Sequence, residues 1–134
     1  MQDPHASHLS ILAIDNHPEV LARISDIVKV SGHECRCACD MDSAAEAVRQ
    51  STPDLIISDV NLSGHSGMEL CDELRRQFSL GEMPVMFLSA AQGPDIIRRA
   101  HAHGGTYHLR KPFDAPVLVE LIEKSRLLPH LTGF

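Results

Sequence analysis

The 134-residue chain contains no tryptophan and one tyrosine, and aromatic residues make up only 4% of it. That leaves few rings on which a flat cofactor such as a flavin could stack. No apolar run approaches the roughly 18 residues that span a bilayer, so no membrane segment is expected. The opening "MQDPHASH" lacks a basic stretch followed by an apolar one, so no secretory signal is expected either. Basic charge is also scarce: 12 Lys and Arg against 18 Asp and Glu give a net charge of -6. This balance disfavours direct nucleic-acid binding, which wants a basic face. The 9 histidines would reverse the sign only in acid. Repeats, low-complexity segments and linkers are missing too. The expected compartment is the cytoplasm, where the 4 cysteines stay reduced.

What remains is an ordinary globular composition, 43% hydrophobic and 22% charged, with length for one domain. Five short apolar runs stand out: Leu9–Ile14, Glu34–Cys39, Asp54–Ser58, Pro84–Ser89 and Thr106–Arg110. Each has strand length and is bounded by Gly, Pro, Asp or Asn. The first, third and fourth are apolar nearly throughout, as strands covered on both faces are. The second and fifth are more polar and are expected at the sheet edges.

Helical spacing fills the gaps. Val20, Ile24, Ile27 and Val28 form one stripe, with Pro18 in the first turn and Gly32 at the end. A short alanine-rich helix follows, with Asp42 or Ser43 as its expected cap. Met68, Cys71, Leu74 and Phe78 form the third stripe, and Ile96, Ile97 and Ala100 the fourth. Val117, Leu118, Leu121 and Ile122 form the fifth, behind an expected Asp114 cap. Strand and helix thus alternate five times, which predicts an α/β fold: a doubly wound parallel sheet with helices on both faces. Residues 1–8 are expected to be a flexible lead, 9–128 the domain, and 129–134 a C-terminal tail. Cys35, Cys37 and Cys39 share one strand face. Zinc ligands come mostly from turns, so these thiols and Cys71 are expected to pack as small hydrophobes.

Sites on such sheets form beyond the C-terminal strand ends. The first strand delivers Asp15 and Asn16 there, the third Asp59 with Asn61 beyond it, the fourth Ser89, and the fifth Lys111. Two carboxylates, an amide, a hydroxyl and an ammonium suit phosphoryl chemistry. Asp15 and Asn16 offer oxygen to a hard cation such as Mg²⁺, though Asn16 reads equally as a cap for the helix opened by Pro18. Asp59 has one oxygen for the metal and another for attack on phosphorus. Ser89 and Lys111 would contact phosphoryl oxygens.

With "ILAIDNHPEV", "PDLIISDVNLSGHSGMEL", "PVMFLSA" and "GGTYHLRKPF" in this order, the chain resembles the receiver domains of two-component response regulators. The resemblance runs from about Leu9 to Leu128. It implies a flavodoxin-like fold, strand order 2-1-3-4-5. Asp59 would be the phospho-acceptor, and Asp15, Asn16, Asp59 and the backbone carbonyl of Asn61 would hold Mg²⁺. Ser89 and Lys111 would act on the phosphoryl group, across a cis Lys111–Pro112 bond. A histidine kinase or phosphotransfer protein would supply that group. The face of the fourth helix, fifth strand and fifth helix would engage an output domain, a partner protein or a second copy. The domain would be a signalling switch rather than an enzyme, since it catalyses only its own phosphorylation and dephosphorylation.

Four positions depart from the family pattern. Asn16 stands in place of a second acid, which removes a negative charge from the metal site. His108, with Tyr107 before it, stands where a switch aromatic is usual. Ser63 stands where proline is common, and Ala91 offers no side chain to position a hydrolytic water. The alternative function is therefore a phosphorylation-independent interaction module. A flavin carrier on the same fold is disfavoured, because "DNHPEV" lacks a Ser/Thr/Gly-rich phosphate cradle.

Overall fold

A computed structural model describes residues 8–91 and 93–126. In chain order the elements are β1 (Ser10–Ile14), α1 (Pro18–Val30), β2 (Glu34–Ala38), α2 (Met41–Gln50), β3 (Leu55–Asp59), β4 (Asn61–Leu62), β5 (His65–Ser66), α3 (Gly67–Phe78), β6 (Val85–Ser89), α4 (Pro94–Ala102), β7 (Gly105–Arg110) and α5 (Ala115–Ser125). Most of the lead 1–8 and all of the tail 129–134 lie outside the described residues, as does the expected domain end at Leu128.

Five strands pair in the order β2-β1-β3-β6-β7, all parallel. With the small β4–β5 hairpin set aside, this is the order 2-1-3-4-5. Period-two alternation divides the core in two. Ile11 and Ala13 of β1, Leu55 and Ile57 of β3, and Met86 and Leu88 of β6 face α1 and α5, packing on Ile24, Val28, Leu118 and Ile122. Leu12, Ile14, Ile56, Val85 and Phe87 face the other way, against α2, α3 and α4. Full burial of each of the Leu, Ile, Val, Phe and Met side chains among these is worth about 1.5–3 kcal/mol relative to exposure. An unbroken apolar run is what a strand covered on both faces requires.

The structure differs from the sequence expectations in several places. The second strand stops at Ala38, and β3 shifts one residue to end on Asp59 itself. Asp40, rather than Asp42 or Ser43, caps α2; it accepts from the Ser43 amide while the Ser43 hydroxyl accepts from the Asp40 amide. Asp114 occupies the N-cap of α5 without a side-chain bond to it. Only Ala100 of the α4 stripe is buried, and Ile97 is 49% exposed.

The cysteines are the largest departure. Cys71 is buried, but Cys35 is half-buried and Cys37 and Cys39 are exposed. They lie on or just beyond the edge strand β2, where helix cover runs out. Cys37 and Cys39 are therefore surface thiols rather than core filling.

Candidate functional site

The first and third strands end side by side, Ile14 registering with Ser58, so the residues that follow emerge together. Asp15 is fully buried, Asp59 is 6% exposed and Ser89 is 1% exposed. Lys111 joins them from beyond β7. Its Nζ donates to Asp15 Oδ2 at 2.8 Å and to Asp59 Oδ2 at 2.6 Å. Burial alone would lower the Lys111 pKa, but these two hydrogen bonds and the two negative charges outweigh it and raise the pKa above the ordinary 10.5. The lysine is therefore a fixed cation, and it offsets the cost of burying two carboxylates.

Backbone bonds set the rest of the rim. The Lys111 amide donates to the Ser89 carbonyl, and the Lys111–Pro112 peptide is cis. Ser89 Oγ accepts from the Ala91 amide at 3.0 Å. Asp59 Oδ1 accepts from the Asn61 amide at 3.0 Å. An ionised carboxylate has about four acceptor sites, so Asp59, with Lys111 and Asn61 as partners, has capacity left. It stands at the floor of an open cleft of about 710 Å³, lined also by His17, Asn61, Ser89, Ala91 and Lys111.

Asn16 is not the helix cap. His17 takes that position, and the Asn16 amide nitrogen donates to Ser63 Oγ. Its Oδ1 is buried and has no hydrogen-bond partner. A buried acceptor left unpaired is costly unless something positive meets it. This orphan oxygen, on the residue next to Asp15, is a donor of the kind an oxygen-preferring divalent cation such as Mg²⁺ takes.

Ser63 proves to be a structural residue. With Gly64 it turns the β4–β5 hairpin, φ being 52° at Ser63 and 87° at Gly64. Two successive positive φ values are the I′ hairpin geometry. Proline, locked near -65°, could not stand at this position. Ser-Gly was the signal for this hairpin, but strands of two residues are too short to leave a periodicity.

His108 faces the same side of the sheet as Phe87 and Ser89, whereas Tyr107 packs on the opposite core. Its Nε2 is buried without a partner, and desolvation lowers its pKa, so the ring is neutral at pH 7. It does not line the cleft.

His17 is the site residue that sequence reasoning missed. Its backbone amide and its Nδ1 each lie 3.0 Å from Asp15 Oδ1. Donor atoms of Asp15, His17 and Asp59 all fall within 4.8 Å of one another. Its place next to two rim residues was the available signal.

An open parallel sheet wound on both faces, with its ionisable groups gathered past the strand ends, defines a flavodoxin-like α/β protein with a carboxylate–lysine site. The model of the response regulator receiver domain matches residues 11–123, and the chain belongs to that family, the signalling domain of two-component systems. It is similar to the chemotaxis protein CheY4 of Vibrio cholerae, at 26% identity over 88% of this chain and 98% of that one, TM-score 0.82. It is also similar to the receiver domain of NtrX from Brucella abortus, at 31% identity over 86% of this chain and 96% of that one, TM-score 0.78. Against a longer NtrX chain the identity is 30% and the TM-score 0.81, and this chain spans 27% of its length. Among the described residues no helix is long and apolar enough to cross a membrane.

Proposed function

We propose that this receiver takes a phosphoryl group onto Asp59 from a phosphohistidine of a histidine kinase or phosphotransfer protein, in a Mg²⁺-dependent reaction. The observation that carries the reading is the Lys111 ammonium bonded to both buried carboxylates at the floor of an open cleft. An Asp59 oxygen attacks phosphorus while the bond from phosphorus to the donor's imidazole nitrogen breaks. The electron pair stays on that nitrogen, which takes a proton from solvent. Asp15, Asn16 Oδ1, Asp59 and the Asn61 carbonyl would hold the Mg²⁺, which when bound supplies positive charge against anion–anion repulsion. Lys111, already placed on Asp59, supplies the second positive charge. Ser89 turns its hydroxyl toward the new phosphoryl oxygens.

The same step carries the signal. Ser89 lines the same cleft as Asp59 and as Ile96 and Arg99 of α4, and a changed Ser89 position biases the α4–β7–α5 face. That face presents Ile97, Arg98, Arg99, His101 and Val117 to an output domain, a separate protein or a second copy. The protein then works in the cytoplasm as a switch. His108, on the Ser89 side of the sheet, takes the place of a switch aromatic.

Incubation with acetyl phosphate and Mg²⁺, followed by intact mass, tests the reading. One phosphoryl adduct is expected, abolished by Asp59→Asn and by chelation. No adduct, together with no beryllofluoride binding, would leave the phosphorylation-independent interaction module, which Asn16 and His108 favour.

A further inference from the structure

We propose that the His17 imidazole is a ligand of the cation site and turns its preference from Mg²⁺ toward divalent transition ions of the cobalt and zinc kind. The inference rests on the reading that Asp15 and Asp59 hold a divalent cation. It goes further by assigning a residue that the four departures from the family pattern do not include, and a different class of ion.

Nδ1 of His17 lies 3.0 Å from Asp15 Oδ1. At this distance Nδ1–H donates a hydrogen bond to the carboxylate; with the ring proton on Nε2 instead, the same nitrogen and oxygen stand as two ligands along one edge of an octahedral ion, about 3.0 Å apart for bonds of about 2.1 Å. Asp59 completes a three-donor group within 4.8 Å. The backbone that carries the ring is also held in place. Pro18 restricts the residue before it to extended backbone, and His17 has φ -107 and ψ 112. Its amide is fixed to Asp15 Oδ1, and its side chain makes no cap bond to α1. The imidazole is therefore aimed at the carboxylate rather than at the helix.

Mg²⁺ prefers oxygen and anionic charge, and imidazole suits the later first-row ions. Here Asn16 contributes a neutral amide oxygen, buried and without a partner, where a further carboxylate would favour Mg²⁺. Loss of one anionic oxygen and gain of one nitrogen shift the preference in the same direction.

The test is binding itself, with Co²⁺ and Mg²⁺ titrated separately and in competition by calorimetry. Wild type and His17→Ala are compared after circular dichroism establishes that both are folded. Wild type should bind Co²⁺ at least about tenfold more tightly than Mg²⁺, with each ion displacing the other. His17→Ala should weaken Co²⁺ by about tenfold or more, the scale of losing one ligating group, and move Mg²⁺ by less than about twofold. His17→Asp should tighten Mg²⁺ and narrow the ratio between the ions. Equal weakening of both ions in His17→Ala, no weakening of either, or Co²⁺ that Mg²⁺ does not displace would each overturn the proposal. The acetyl phosphate assay separates the two readings. A missing adduct sinks phosphorylation and leaves His17-dependent Co²⁺ binding standing, whereas an adduct with His17-independent Co²⁺ binding sinks only the proposal made here.

Discussion

Among the described residues Lys111 is the cation that pairs with both Asp15 and Asp59, and without it the two carboxylates lose their shared partner. Both carboxylates are under a tenth exposed, so the charge left behind is not solvated away. Lys111→Met should cost about 3 kcal/mol in urea unfolding at pH 7, the low end for breaking a buried pair. Millimolar Mg²⁺ should recover part of the loss by binding only the folded state. The pH dependence has a defined sign. The folded pKa of Lys111 is raised, so its contribution is complete below 10.5 and drains away as pH rises through the folded value. The gap between wild type and Lys111→Met should therefore close in strong alkali. A gap that widened there would contradict the pairing. At this scale Asp15, Asp59, Ser89 and Lys111 were legible, because an apolar run that ends in a polar residue marks a strand end. His17 was not: the contact of its ring with Asp15 depends on which way the ring turns after a fixed backbone, and residue spacing carries no such information. Cys37 and Cys39 were misread because nothing local in a sequence marks where helix cover over an edge strand stops.

Among the described glycines, Gly67 in the β3–α3 connection leaves the least room for a side chain. Gly67 opens α3, and its amide donates to the Val60 carbonyl. A Cβ on Gly67 would stand 1.7 Å from the Asp59 carbonyl oxygen and 3.1 Å from Ser58 Oγ. The backbone of Asp59 must move to admit it. Gly67→Ala should thus cost about 3 kcal/mol or more, the upper range for overpacking, and should slow acetyl phosphate labelling as well. Thermal melting and intact mass check both parts; a variant with wild-type stability and labelling would refute the close approach. Glycine here answers a steric demand, whereas Ser63 and Gly64 answer a demand for positive φ. The helices were legible from their stripes, and their caps were not, because α2 could begin at any of several adjacent polar residues. Only the reciprocal bonds of Asp40 and Ser43 decide it.

Across the whole molecule, cover is uneven. The helices α2 and α3 bury four and five residues respectively, whereas α4 buries only Ala100. An element with so little apolar anchoring opens at low free-energy cost. Amides of α4 should exchange with deuterium faster than those of α3, and beryllofluoride with Mg²⁺ should slow them if the site biases this helix. Unchanged exchange would detach the site from the face. The doubly wound architecture was legible from the alternation of apolar runs and helical stripes. Strand order was not in that alternation; it came with the family resemblance, since pairing is a long-range matter. The same holds for the weak seating of α4, whose stripe of Ile96, Ile97 and Ala100 looked as apolar as the others.

The central claim is that Asp59, held by the Lys111 ammonium and the Asn61 amide, is the nucleophile. Labelling with acetyl phosphate, reduction of the acyl phosphate by borohydride and peptide mapping test it most directly. The account predicts homoserine at position 59 alone, with none formed when Mg²⁺ is chelated. Reduction product at any other residue, or an unmodified Asp59 in folded, Mg²⁺-loaded protein, would contradict it.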